Sequence, residues 1–304
     1  MAPTPFHAGE LLVQQRVNER PMAERNGQII GSQIPGGVTL FLQKQPMVVV
    51  SSLDAAGQVW ASVLVGSPGF ARSLTAEQVL IDVALLAKSD TDPLWRNLPE
   101  RPTVGLLFIE LSSRRRFRIN GQARAVADGW VIDIDQAYAN CPKYIQKREV
   151  ATLGGPNPRA VASAEGTHLT PELKAWIEAA DTFFLGSGDD QGALDASHRG
   201  GSPGFVRVEA AGTLLVPDYA GNSMYNSLGN FVVNPAAGLL FIDFMGGRTL
   251  QLTGRAEILW DVANTDAETG GTNRFWRFAP AAWVVQPLPV AMHFRFLEYS
   301  YFNP

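Results

Sequence analysis

One short segment carries residue types suited to binding an anion. Residues 196–201 read ASHRGG and place Ser197, His198 and Arg199 side by side. A guanidinium group offers a planar set of donors that matches phosphate, and a serine hydroxyl adds a neutral donor. A matching stretch at 61–66 reads ASVLVG, with apolar residues in place of the histidine and arginine. The contrast favours a binding role for the later stretch, although a solvent-facing His198 and Arg199 would explain it equally well.

A second segment, 214–230, reads LLVPDYAGNSMYNSLGN. It predicts a strand that ends at Pro217, a turn rich in Asn, Ser and Gly, and a short helix running toward Asn234. Backbone N–H groups at a helix start, together with Asn and Ser side chains, can bind an anion. Helix capping is the alternative, but the segment holds more asparagines than capping requires. Its candidate binding residues are Pro217, Asp218, Tyr219, Asn222, Asn226, Ser227 and Asn230.

A third segment, 140–146, reads NCPKYIQ. Lys143 could reach an anion and Tyr144 could stack on a ring, although a solvated lysine beside a packed tyrosine explains the segment at least as well. Cys141 is the only cysteine in the chain, and a lone cysteine is more often a buried small residue than a nucleophile. The four histidines are scattered and predict no metal site. No catalytic residue is predicted.

These segments belong to an internal repeat. The string GSPGF at 66–70 recurs unchanged at 201–205, and GLLFIE at 105–110 recurs as GLLFID at 238–243. FRINGQA at 117–123 then matches LQLTGRA at 250–256. The spacing is the length of a domain and is far longer than a solenoid repeat. The sequence therefore predicts two copies of one domain, 1–160 and 161–304, joined by a linker within 152–170.

Each copy has the pattern of an antiparallel β domain. Apolar runs at 47–52 and 182–187 are followed by turn residues, and 105–111 and 238–244 are β-rich strands that lead into alternating strands. Helical spacing occurs at 9–18, 75–87, 135–148 and 170–180. Many short strands with a few helices predict a mainly β, α+β fold of barrel type.

Composition excludes several classes of protein. The net charge of −4 gives no basic surface for nucleic acid or an anionic membrane, and no run of apolar residues is long enough to span a bilayer. A single cysteine excludes a disulfide scaffold. A soluble protein of the cytoplasm is the expectation.

With these motifs in hand, the chain resembles the pyridoxamine 5′-phosphate oxidase-like family of FMN-binding split barrels, and in particular its uncharacterised bacterial two-copy branch. The resemblance rests on LLVP at 214–217, the Asn/Ser turn, Asn234-Pro235, GLLF at 238–241 and RTLQLTG at 248–254. FHAGE at 6–10 and NCPKY at 140–144 are similar to that branch.

The resemblance implies two tandem split β-barrels that form a pseudo-dimer within one chain, with FMN in the cleft between them. It places Ser197 and Arg199 on a phosphate-binding strand and brings Arg116 near the flavin. Asn226 and Ser227 stand where the family has an Arg-Lys pair, so His198, Arg199 or Lys143 would have to compensate. DPLWRN at 92–97 replaces the Asn/Ser turn in the first copy. One FMN site per chain is expected.

The leading hypothesis is an FMN-dependent oxidoreductase that acts on a small-molecule substrate or electron donor and forms a homodimer if edge strands pair. The alternative is a non-catalytic module that binds flavin or haem, or acts as a sensor. Purely structural dimerisation fits the asymmetry of the two copies least well.

Overall fold

The computed structural model describes residues 4–155, 157, 162–263 and 265–304. The predicted boundary between residues 160 and 161 lies outside the described residues, as does part of the predicted linker. The domain limits therefore stay a prediction. No helix among the described residues is both long and apolar enough to cross a membrane.

The first half contains four helices and nine strands within the described ranges. They are α1 (Ala8–Arg16), α2 (Arg20–Gly27), α3 (Thr39–Lys44), β1 (Met47–Leu53), β2 (Val59–Gly66), β3 (Ala71–Thr75), β4 (Gln78–Asp82), β5 (Leu86–Ala87), α4 (Leu94–Glu100), β6 (Thr103–Glu110), β7 (Arg115–Val126), β8 (Gly129–Ala139) and β9 (Lys147–Leu153), with 3₁₀ turns at Gly36–Val38 and Val83–Leu85.

The second half, over its described residues, contains three helices and nine strands. They are β10 (Ala164–Gly166), α5 (Pro171–Ala179), β11 (Thr182–Gly188), β12 (Leu194–Gly200), β13 (Arg207–Val208), β14 (Leu214–Pro217), α6 (Asn226–Val233), β15 (Ala236–Asp243), β16 (Arg248–Leu259), α7 (Asp266–Thr269), β17 (Phe275–Pro287) and β18 (Met292–Glu298).

The two halves have the same sheet topology. The first sheet runs β3-β4-β8-β7-β6-β1-β2-β5, and the second runs β13-β14-β17-β16-β15-β11-β12, with β10 added beside β17. All pairs in these sheets are antiparallel, and each sheet curls around its own apolar core. The mainly β fold with two tandem barrel domains is confirmed.

Strand register repeats as well as strand order. Val49 lies opposite Leu107 in the first sheet, and their counterparts Phe184 and Leu240 lie opposite each other in the second. The register shifts after Asn120 in the first sheet and at the equivalent place, between Thr253 and Gly254, in the second. Such an irregularity bends a strand, so both copies curl at the same point.

The outer faces of the two sheets pack against each other and form a third core, with Val49 and Leu107 from the first half against Phe184 and Leu240 from the second. Strands β1 and β11 are therefore buried on both faces, which explains their unbroken apolar runs. Two glycines allow the closest approach. A Cβ on Gly105 would lie 2.8 Å from Ala196 N, and one on Gly238 would lie 2.6 Å from Val59 O.

Terminal elements cross between the halves. The N-terminal helix α1 packs on α6 of the second half, where Gly9 and Gly229 lie too close together for either to carry a side chain. The C-terminal strand β18 pairs with β9 of the first half. These two crossings hold the halves together in the pseudo-dimer that the resemblance implied.

Two of the four predicted helices are wrong. Residues 75–87 form the end of β3, then β4 and β5, because Val79 and Ile81 fill the first core from a strand that pairs with β8. Residues 135–148 continue β8, form a loop and enter β9, since β8 pairs with β7 up to Ala139 and Pro142 follows. The helices predicted at 9–18 and 170–180 correspond to α1 and α5.

Candidate functional site

A cleft lies where β12 of the second half faces β7 of the first. The loop after β8 and the segment between β14 and α6 supply its other walls. The space measures about 900 Å³ with its mouth included, which suits a small-molecule site. All predicted binding residues except Asn230 line it: Arg116, Lys143, Ser197, His198, Arg199, Pro217, Asp218, Tyr219, Asn222, Asn226 and Ser227.

Two arginines bring positive charge to the cleft. Arg116 donates through Nε to the Cys141 carbonyl at 2.6 Å, and Arg199 donates through Nη1 to the His198 carbonyl at 3.2 Å. Within the described ranges, neither guanidinium has a carboxylate at ion-pair distance. Burial lowers the pKa of Arg116 to about 9 and also lowers that of Arg199. Both remain cationic at neutral pH and would gain from an anion.

His198 is a buried imidazole with no partner for either ring nitrogen among the described residues. It is 3% exposed, and its ring meets that of Phe184 edge-on at 5.6 Å. Burial, followed by the nearby Arg116 and Arg199, lowers the pKa of His198 well below its ordinary value, so the ring is neutral. Unpartnered buried polar atoms are uncommon and costly. They mark this wall of the cleft as one that a ligand would complete.

Arg118 is a residue of the cleft that the sequence reasoning missed. It forms a 2.8 Å ion pair with Asp195 and donates to the hydroxyl groups of Tyr138 and Ser197. Ser227 in turn donates to Ser197 Oγ at 3.3 Å. The alternation of β7 places Arg116, Arg118 and Asn120 on one face, and that pattern could have identified Arg118.

Two tyrosines face the cleft from opposite halves. The rings of Tyr144 and Tyr219 lie 5.0 Å apart with a tilt of 37°, and Tyr144 Oη donates to the Ala220 carbonyl at 2.9 Å. Tyr144, Ser223 and Tyr225 all line the cleft and all have left-handed backbone, with φ of 64°, 63° and 61°. Strained conformations of this kind tend to gather at functional sites. The cleft therefore combines donors for an anion with an aromatic surface.

Asp218 lines the cleft, but its side chain is already engaged. It pairs with Arg274 at 3.0 Å, and both residues are buried. Its backbone N–H donates to the Arg274 carbonyl at 3.0 Å. Burial raises the pKa of Asp218, with Arg274 acting in the opposite direction. This pair fixes the turn after Pro217 and leaves Asp218 little capacity to bind a ligand itself.

The predicted asparagines have different surroundings. Asn222 accepts from the Met224 N–H at 3.1 Å in a local turn, and Asn226 opens α6 and donates to Glu10. Asn230 lies outside the lining of the cleft and donates to Ser187 and Asp195, each at 2.9 Å. The residue before α6, Tyr225, supplies no side-chain cap. The start of α6 is therefore not capped by any of these asparagines.

Metal ligands do not converge in the part of the chain that the structure describes, where no three His, Cys, Asp or Glu side chains could hold an ion together. The cleft presents guanidinium, ammonium, imidazole, hydroxyl, amide and phenol groups.

The solved structures that match this chain each align over less than half of it. A candidate pyridoxamine 5′-phosphate oxidase from Lactobacillus delbrueckii is 16% identical to this chain. The alignment covers 38% of this chain and 93% of that protein, with a TM-score of 0.32. A FAD-binding protein from Mesorhizobium loti is 12% identical over 43% of this chain and 99% of its own, with a TM-score of 0.30. The haem storage protein HutZ from Vibrio cholerae is 14% identical over 45% and 99%, with a TM-score of 0.26.

No curated protein matches the full sequence significantly. The family model for pyridoxamine 5′-phosphate oxidase, in contrast, matches the chain twice in tandem, over residues 36–153 and 169–285. These two matches cover most of the chain and follow the two barrels, so the protein belongs to the pyridoxamine 5′-phosphate oxidase family.

Proposed function

We propose that the cleft binds FMN and that the protein is an FMN-dependent oxidoreductase. The observation that carries this proposal is the pair of arginines, Arg116 and Arg199, which face a partly buried cleft and have no carboxylate at ion-pair distance among the described residues. A phosphate dianion would offset both charges and offer acceptors to the Ser197 and Ser227 hydroxyls. Lys143, at the mouth, would add a third cation.

The same cleft offers a surface for the isoalloxazine ring. Tyr144 and Tyr219 would pack against it, since aromatic rings stack on flat ligands. FMN, when bound, supplies the acceptor for hydride or single electrons, and the chain supplies binding, orientation and electrostatics. The engaged Asp218 and the neutral His198 provide no evident acid–base pair. Hydride would therefore come from a substrate or electron donor held next to the ring, without help from a protein base.

The test is a titration of the flavin-free protein with FMN and with riboflavin, which lacks the phosphate. Binding should quench flavin fluorescence, and FMN should bind at least about tenfold more tightly, because each charge-assisted phosphate contact contributes more than 1 kcal/mol. A protein that is colourless when purified and takes up neither flavin would overturn the proposal. If NAD(P)H then reduces the bound FMN and oxygen or an added acceptor reoxidises it over many cycles, the oxidoreductase role is supported.

Haem binding is the second candidate, and His198 is the observation that favours it. A neutral, buried imidazole whose nitrogens have no partner among the described residues is a suitable axial ligand for haem iron, and Arg116 and Arg199 could pair with propionates. Haem binding would produce a strong absorption band near the blue edge of the visible spectrum. That band should shift in His198→Ala if His198 is the ligand, whereas FMN uptake should persist in that variant.

A small-molecule substrate or electron donor would approach through the mouth of the cleft. Assembly into a homodimer through exposed edge strands, and residence in the cytoplasm, remain predictions.

A further inference from the structure

A second cavity lies beyond the Arg118–Asp195 pair, on the side away from the cleft. We call it the acidic cavity and define it by Glu10, Asn120, Asp135, Asp189 and Asp195, which all line it. It measures about 570 Å³ with its mouth included, and the side chain of Asn226 lines both it and the cleft. The two spaces are therefore neighbours separated by a thin polar wall.

One buried hydrogen-bond acceptor in the wall of the acidic cavity has no donor among the described residues. Asn120 is 8% exposed, and its Nδ2 donates to Asp195 Oδ1 at 2.8 Å and to Gln136 Oε1 at 3.3 Å. These bonds fix the orientation of the amide, so Oδ1 is the atom left without a partner among the described residues. A buried acceptor of this kind is stabilised only by a donor brought from outside.

Two buried carboxyl groups lie beside it, and each has room for a further donor. Asp195 Oδ2 accepts from Asn230 Nδ2 at 2.9 Å, and Glu10 accepts from the His7 N–H at 2.9 Å and from Asn226 Nδ2. Each carboxylate oxygen has more than one lone pair, so further donors can be accommodated.

The imidazole of His7 lies beside Glu10. His7 Nδ1 accepts from the Gly9 N–H at 3.1 Å, and Nε2 lies 2.9 Å from Asn230 Oδ1 and 3.6 Å from Glu10 Oε2. The ring is therefore held at one edge of the acidic cavity by contacts with the backbone, Asn230 and Glu10.

The balance of charge around the acidic cavity is negative. Asp195 on β12, Asp135 on β8 and Asp189 after β11 face the space with Glu10, and Arg118 on β7 is the cation that opposes them. The phenol of Tyr138, also on β8, lies behind Arg118. Burial, followed by the charge of Asp195, raises the pKa of Glu10 to about 8. An added cation would relieve this repulsion.

We propose that the acidic cavity binds a small organic cation through a primary ammonium group, which donates to Asn120 Oδ1, Glu10 and Asp195. A primary ammonium group carries three N–H donors, one for each of these three lining residues. This site is separate from the proposed flavin site and does not depend on it, so it can be tested whether or not the cleft is loaded.

The first experiment uses propylammonium chloride as the probe and 1-propanol as its neutral counterpart, in a phosphate buffer, because Tris is itself a primary amine. Backbone NMR shifts of residues around Asn120 should saturate with propylammonium and remain unchanged with 1-propanol. Calorimetry at pH 7 in two buffers of different ionisation enthalpy should detect proton release, because the bound cation favours ionised Glu10. Equal responses to both probes, or none to either, would overturn the proposal.

Glu10→Gln keeps the size of the side chain and removes its charge. The affinity for propylammonium should fall about tenfold or more, as expected for loss of a charge-assisted contact, and proton release should disappear. Asp135→Asn, at the exposed rim, should weaken binding about twofold without touching the interior. Glu100→Gln, an exposed change on α4, is the matched control and should leave binding unchanged.

Two results would contradict the assignment even if binding is observed. Displacement of propylammonium by Mg²⁺ or K⁺ at equal concentration would assign the cavity to a metal ion. Unchanged affinity and unchanged proton release in a folded Glu10→Gln protein would place the ammonium elsewhere. Should Glu10→Gln fail to fold, the probe selectivity of the wild type and the Asp135→Asn variant still decide the question.

Discussion

The cleft has a counterpart on the other side of the pseudo-twofold axis, and the two differ in almost every charged residue. Ser197, His198 and Arg199 line the first, whereas the repeat places Ser62, Val63 and Leu64 at the second. Arg116 and Arg118 correspond in the same way to Thr249 and Gln251, as the matching strand registers require. One frame therefore presents a cationic surface at one end and a neutral surface at the other.

The neutral counterpart is closed by a side chain of the protein. Asp92, which is buried, accepts from Ser62 Oγ at 2.6 Å, Gln286 Nε2 at 2.8 Å and Gln251 Nε2 at 3.3 Å. The space left beside it is about 330 Å³, against about 900 Å³ for the cleft. Ser62 and Gln251 are the counterparts of Ser197 and Arg118, so an internal carboxylate contacts residues whose equivalents face a ligand-sized space in the other half.

Features that both ends share are those that hold the scaffold. Asn97 Nδ2 donates to Ser52 Oγ at 2.9 Å, and its counterpart Asn230 donates to Ser187 Oγ at 2.9 Å. Each bond ties a helix to the first strand of its barrel. Because the neutral end keeps this bond without a cationic strand, the bond of Asn230 to Ser187 is structural. Differences between the copies, in contrast, point to the ligand.

The largest expected effect is on stability and comes from removing Asp92, the side chain that closes the neutral counterpart of the cleft. Asp92→Ala would leave Ser62, Gln251, Gln286 and the Leu94 N–H without their acceptor in a buried place. We expect the free energy of unfolding to fall by about 3 kcal/mol. Urea unfolding of the flavin-free protein measures this, with the exposed Asp90→Ala as control. A loss no greater than that of the control would show that Asp92 does not close this end.

The next effect is on FMN affinity and concerns Arg199 in the cleft. Arg199→Ala should weaken FMN binding about 30-fold, or about 2 kcal/mol, through loss of a charge-assisted contact with phosphate. Leu64→Ala, the same change at the equivalent position of the first copy, should leave FMN affinity unchanged and lower stability by about 2–5 kcal/mol because the side chain is buried. Fluorescence titration and thermal unfolding separate the two. Equal loss of FMN affinity in both variants would contradict the assignment of one site per chain.

The repeat made most of this architecture predictable. The repeated strings show which strand of one copy corresponds to which strand of the other. The contrast between Arg199 and Leu64 indicated that the second copy carries the binding site. Helical spacing misled at 75–87 and 135–148, where Val79, Ile81 and Ala137 are placed by sheet partners distant in the sequence. Local periodicity cannot distinguish a short amphipathic helix from a strand that tertiary pairing selects.

The site was predicted less completely than the fold. Ion pairs decide which charged residues are available to a ligand, and such pairs join residues far apart in sequence. Asp218 was a candidate, yet Arg274 engages it, and Arg118 was overlooked although it joins Asp195 and Ser197. The acidic cavity was missed entirely, because it brings Glu10 from the N-terminal helix to β12 of the second copy. Nothing in the local sequence of either segment indicates that contact.

A smaller effect concerns the pH dependence of stability through the buried carboxyl group of Glu10. Glu10 has a folded-state pKa of about 8, above the ordinary 4.5, so the folded protein binds more protons than the unfolded chain between these values. Stability should therefore fall as pH rises through 8, by about 1 kcal/mol between pH 7 and pH 9. Glu10→Gln, measured by urea unfolding in amine-free buffer, should remove that part of the slope. An unchanged slope would mean that Glu10 is already ionised at neutral pH.

The smallest expected effect is the loss of FMN affinity in Lys143→Ala, which is compared with the loss in Arg199→Ala. Lys143 lies near the Phe302 ring at 5.4 Å and has no carboxylate partner at ion-pair distance in the described structure. Because it is partly exposed, solvent and salt screen its charge. Lys143→Ala should weaken FMN binding about twofold at low ionic strength, an effect that should vanish at about 0.5 M salt, whereas the Arg199→Ala effect should largely persist. Titrations of both variants at two salt concentrations make the comparison. If Lys143→Ala costs as much affinity as Arg199→Ala at high salt, the phosphate sits at the mouth, and the cationic strand is not its main anchor.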